Sequence, residues 1–163
     1  MSAVYLIASG ATAVGEQYSR SLSDLANEAL RSAFVQADID RDRVGALYVA
    51  NALGEAMASQ GQLGAAIASA AGLIHAEALR VEAAGASGGA ALRQAVLAIA
   101  GGAHELAVVL GVEKVTDKLD AALETALALA AEHVTTRPNQ GLTQTSQWRY
   151  GCGVYMHEFA YAA

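Results

Sequence analysis

Apolar residues fall in short bursts along this chain, separated by polar or glycine positions at intervals that fit alternating strands and helices. Residues 4–9 form a short run with β-branched members that stops at Gly10, the pattern of a buried strand. Ser21 or Ser23 offers a cap for a helix in which Leu22, Leu25, Ala26, Ala29, Leu30, Ala33 and Phe34 recur at helical spacing. A charged connection over 38–43 leads to a second strand at 46–51, apolar enough to be covered on both faces. Residues 62–71 read as a helix stopped by Gly72, 78–82 as a third strand, 87–100 as a helix closed by Gly101-Gly102, and 106–112 as a fourth strand. Strands alternating with helices of this length predict an α/β fold, its sheet parallel and built from right-handed βαβ crossovers.

Beyond residue 118 the pattern changes. Residues 118–133 are rich in Ala and Leu with few breakers and predict a helix, and 135–140 hold the only proline, Pro138, in a loop. Residues 143–161 predict a last helical stretch, softened at Gly151-Cys152-Gly153, and Ala162-Ala163 show no sign of a completed strand. The chain thus divides into an α/β core, 1–118, and a helical loop-region segment, 119–163.

Composition narrows the choices. A length of 163 residues suits one domain with a substantial core, and 54% hydrophobic against 16% charged residues makes it more apolar than an average soluble domain. No run approaches the roughly 18 apolar residues needed to span a bilayer, and the N-terminus lacks the basic region and cleavage pattern of a secretory signal. A cytoplasmic protein is expected. Ten basic residues against sixteen acidic ones give a net charge of −6, which argues against nucleic acid and anionic membrane as partners. The lone Cys152 has no partner for an internal disulfide, and His75, His104, His133 and His157 show no paired ligand spacing, so no metal is expected. These histidines read as surface or helix-end residues, and Cys152 as a small, partly buried side chain.

The helix at 87–100 is apolar nearly all round, with Arg93 and Gln94 the main exceptions, and so predicts burial on all sides. Just before it, residues 80–92 place a strand end, an abrupt turn and a Gly/Ala-rich helix in succession. A residue at such a turn lies over a helix N-terminus, where free N–H groups and the positive dipole end favour an anion. That residue is Gly85, which has no side chain to attack with. Two roles stand open for it: a backbone device allowing unusual φ or close approach, or a vacated site whose N–H still donates to a ligand oxygen. Ser87 is the nearby hydroxyl. Capping the helix is its expected job, since no base can be assigned beside it.

Glu82-Ala83-Ala84-Gly85-Ala86-Ser87-Gly88-Gly89 resembles the nucleophile turn of the thiolase superfamily, in its acetyl-CoA acetyltransferase branch of archaeal and sterol-carrier-type thiolases. The family's acyl-carrying Cys falls on Gly85. Val4 to Gly10 is similar to the family's first strand, Val49-Ala50-Asn51 to the end of its second, Gln60-Gly61-Gln62 to the start of the next helix, and Gly111-Val112-Glu113-Lys114 to the end of its fourth strand. Gly141-Leu142-Thr143 and Arg149-Tyr150-Gly151 resemble the helix closing its loop region. The likeness is good over 1–118 and looser over 119–163.

The resemblance implies a thiolase-like N-terminal half and carbon–carbon bond formation or cleavage on acyl-CoA, with a coenzyme A thioester as ligand at Gly85 and Ser87 and no resident cofactor. It also implies that the vacated Gly85 and the missing second half, which holds a Gly-His-Pro segment and a Cys-x-Gly turn in the family, leave the chain inactive alone. Glu113 resembles a glutamate kept near the family's site, with hydrogen bonding of the adjacent loop as its expected work, and Asn51 is expected to tie down the turn after the second strand. With only one half present, the helix at 87–100 would lose cover on one face. A second copy, or a second-half or OB-fold partner chain, would cover it. A non-catalytic assembly subunit and a partner-dependent thiolase-like aldolase are the alternative functions.

Overall fold

The computed structural model describes residues 3–115, together with the backbone of a strand at Phe159–Ala162. Five strands form one sheet: β1 (Gly10–Ala11), β2 (Ala46–Ala50), β3 (Glu77–Val81), β4 (Ala107–Glu113) and β5 (Phe159–Ala162), in the order β1-β5-β4-β2-β3. β2 lies parallel to both β3 and β4, while β5 runs antiparallel to β4 and β1. The α/β class and the mostly parallel sheet agree with the sequence reading.

Four helices complete the described fold: α1 (Leu22–Ala37), α2 (Gly54–Ala58), α3 (Leu63–Ala70) and α4 (Ser87–Ala100). α1 starts at a reciprocal cap. The Ser21 hydroxyl accepts from the Asp24 N–H at 3.1 Å and the Asp24 carboxylate accepts from the Ser21 N–H at 2.9 Å, so Ser21 rather than Ser23 is the cap.

All five residues of β2 are buried because the strand is covered on both faces. Leu47 and Val49 meet Leu25, Leu30, Leu63 and Ile67 from α1 and α3, whereas Ala46, Tyr48 and Ala50 pack with Ala91 and Ala95 of α4. Alanine on both sides of that second contact lets α4 approach the sheet closely. β4 alternates instead: Val108, Leu110 and Val112 are buried towards α1, and the residues between them are half-buried.

Three expectations need correction. Residues 4–9 are not a buried strand: β1 comprises only Gly10–Ala11, and Tyr5, Leu6 and Ile7 are 79%, 68% and 57% exposed. Ladder pairing, which the apolar pattern cannot specify, decides this, since among the described residues 4–9 pair with no strand. The helix expected to run to residue 161 gives way to β5 over its last residues, where pairing with β4 overrides local propensity. α4 buries only Ser87, Ala91 and Ala95; Leu92, Val96 and Leu97 are exposed. The sheet covers one side of α4, and the described residues supply no second layer. The segment 119–158, with Cys152, His133 and His157, lies outside the described residues.

Candidate functional site

The C-terminal ends of β2, β3 and β4 converge on one edge of the sheet, where two connections are built side by side. The first is the turn from β3 into α4. Glu82 and Ala83 leave the strand, residues Ala84–Ala86 make one turn of 3-10 helix, and α4 begins at Ser87. Ala84 takes a left-handed conformation at φ 47°, which a residue with a Cβ adopts at a cost of about 1–2 kcal/mol.

The Ser87 side chain holds that turn. Its hydroxyl accepts from the Ala83 N–H at 2.9 Å and donates to the Ala84 carbonyl at 2.7 Å. The Glu82 carboxylate accepts from the Ala84 N–H at 2.7 Å, and the Ala86 N–H donates to the Ala83 carbonyl at 2.9 Å. Ser87 is buried, and its bonds run backwards into the turn, so it is not the cap of α4 that the sequence suggested: the cap position is Ala86, which makes no side-chain bond there. With its proton given to Ala84, the hydroxyl is a structural staple.

Gly85 sits at the apex, exposed. A Cβ built on it meets no atom within 4 Å, and its φ lies outside the left-handed region. Neither unusual φ nor close approach therefore accounts for glycine here; the strained position is Ala84, one residue earlier. Gly88 and Gly89 are equally open, so the N-terminal turn of a 14-residue helix carries no side-chain bulk on those positions. A thiol-sized side chain fits at residue 85, and an oxygen could approach the helix tip.

The second connection, from β2 into α2, is held by buried polar groups. Asn51 is 1% exposed; its Nδ2 donates to the Val112 carbonyl at 2.8 Å and its Oδ1 accepts from the Gly54 N–H at 2.8 Å. Glu113 accepts from the N–H groups of Ala52 and Leu53. Burial pushes the Glu113 carboxyl above the ordinary glutamate range, opposed by those two N–H donors and by the nearby Arg80 charge. Asn51 and Glu113 thus do the loop-tying work expected of them.

Arg80, the penultimate residue of β3, completes the frame. It donates from Nε to the Asn51 carbonyl at 3.1 Å, from one terminal nitrogen to the Ala52 carbonyl at 3.2 Å, and from the other to Glu55 at 2.8 Å. Sequence reasoning gave Arg80 no role. The available signal was a lone cation in an apolar strand, two residues before Glu82 and five before Gly85.

Of the histidines, His75 is exposed in the connection before β3. His104 pairs with Glu77 at 2.9 Å, and Glu77 begins β3, at the opposite end of the strand from the turn. His104 is therefore held in an ion pair or hydrogen bond rather than simply exposed. Among the described residues no cluster of three or more metal-ligating side chains is found, and no helix is long and apolar enough to cross a membrane.

The sequence pattern of the family described as thiolase, N-terminal domain, matches residues 4–155. An acetyl-CoA acetyltransferase of Methanothermobacter thermautotrophicus is 34% identical over 159 residues, covering 98% of this chain and 41% of that protein. The acetyl-CoA acetyltransferase of Methanocaldococcus jannaschii is 43% identical over 121 residues, 74% of this chain and 31% of its own length. The chain thus spans less than half the length of these relatives. Among solved structures, a 3-oxoacyl-(acyl carrier protein) synthase III from Pseudomonas aeruginosa superposes with a TM-score of 0.60 at 18% identity, over 96% of this chain and 48% of that one. At that identity the likeness shows the fold alone.

Proposed function

The chain belongs to the thiolase family by its N-terminal domain, and from that premise we propose that it is a thiolase-like acyl-CoA-binding subunit that forms no acyl-enzyme at its own turn. The observation that carries this reading is Gly85: the turn and the helix tip are intact, there is room for a side chain, and none is present.

Acyl transfer through a covalent intermediate needs a nucleophile that leaves the thioester sulfur free to depart. Among the groups at this turn, Gly85 offers only its backbone, and the Ser87 hydroxyl is committed to Ala83 and Ala84. What remains is electrostatic: N–H groups at the start of α4 that donate to a thioester oxygen. Gly85 and Ser87 are thus positions at which the ligand lies against the turn, Gly85 through its backbone and Ser87 by holding the turn in shape. Carbon–carbon chemistry on the bound thioester requires acid and base groups that this turn does not supply, and the cytoplasm is the compartment this reading assigns.

Intact-mass analysis after incubation with acetyl-CoA tests the covalent part, and binding of acetyl-CoA to the purified chain tests the rest. No stable acetyl adduct is expected on the native chain. Gly85→Cys should be alkylated by iodoacetamide faster than Cys152 in the same molecule, as resolved by peptide mapping, because the helix tip stabilises a thiolate. Equal rates at the two cysteines, or no acetyl-CoA binding, would overturn the proposal.

A second reading, a non-catalytic assembly subunit, is favoured by the exposed Leu92, Val96 and Leu97 on α4 and Leu79 on β3. A second copy or an OB-fold partner chain would cover that face. Self-association without acetyl-CoA binding is the outcome that selects it.

A further inference from the structure

We draw no further inference here: the strongest candidate, the exposed apolar face of α4 at Leu92, Val96 and Leu97 beside the edge strand β3, is unpartnered, and nothing among the described residues shows what covers it.

Discussion

The Ser87 hydroxyl donates to the Ala84 carbonyl at 2.7 Å, so the first residue of α4 holds the one left-handed residue of the turn before it. Its lone pair takes the Ala83 N–H as well, and the side chain is buried. Replacing Ser87 by alanine orphans a donor and an acceptor together. We expect Ser87→Ala to lower unfolding stability by about 1–3 kcal/mol, the usual cost of unsatisfied buried groups, as measured by urea denaturation. An effect near zero would mean that water replaces the hydroxyl and that the staple is dispensable.

Two glycine substitutions should have opposite signs. At Gly85 an added methyl meets open space in a helical turn, so Gly85→Ala restricts the unfolded chain without cost to the folded one and should stabilise by about 0.4–1 kcal/mol. At Gly10 the methyl would press on the α1 backbone, against the Ala29 carbonyl and 2.6 Å from the Ala33 nitrogen, atoms that cannot move aside. Gly10→Ala should destabilise by about 1–3 kcal/mol through overpacking. Thermal melts of the two variants decide the matter, and stabilisation by Gly10→Ala would show that β1 is not held against α1.

Most of the core was legible in the sequence because periodicity reports burial directly. The span 87–100 was read as a helix and is one, and the strand of 46–51, expected to be covered on both faces, is buried throughout. The turn at 80–92 was legible because glycine and a strand end punctuate it. Pairing was not legible: the apolar burst at 4–9 looks the same whether or not a neighbouring strand bonds it, and Phe159–Ala162 carries no local signal for β5. Nor was the location of strain. Sequence rules assign unusual φ to glycine, yet at this turn Ala84 carries it, held by Ser87 and Glu82.

The exposed face of α4 leads to a prediction about solubility rather than folding. Leu97 is 48% exposed and lies outside the three buried positions of its helix, so Leu97→Arg should change monomer stability by no more than about 0.5 kcal/mol. It should reduce any self-association seen by sedimentation, because an arginine there must be desolvated in a covered face. A loss of stability well beyond that figure would place Leu97 in the core.

Glu113 and Arg80 together set a pH dependence with a definite sign. Burial raises the folded-state pKa of Glu113 above its unfolded value, so the folded protein binds the extra proton. This group's contribution to stability is greatest below the unfolded pKa and declines as pH rises through the folded one. Glu113→Gln removes the titration, so the stability of the native chain minus that of the variant should fall between acidic and neutral pH. Arg80 opposes the shift through its charge, and it also donates to the Asn51 and Ala52 carbonyls. Arg80→Met should therefore move the same pH window upward and lower stability throughout. If the window stays in place while stability falls, Arg80 acts only through its hydrogen bonds to the loop. Urea titrations of the four members of the double-mutant cycle, at several pH values, separate the two contributions.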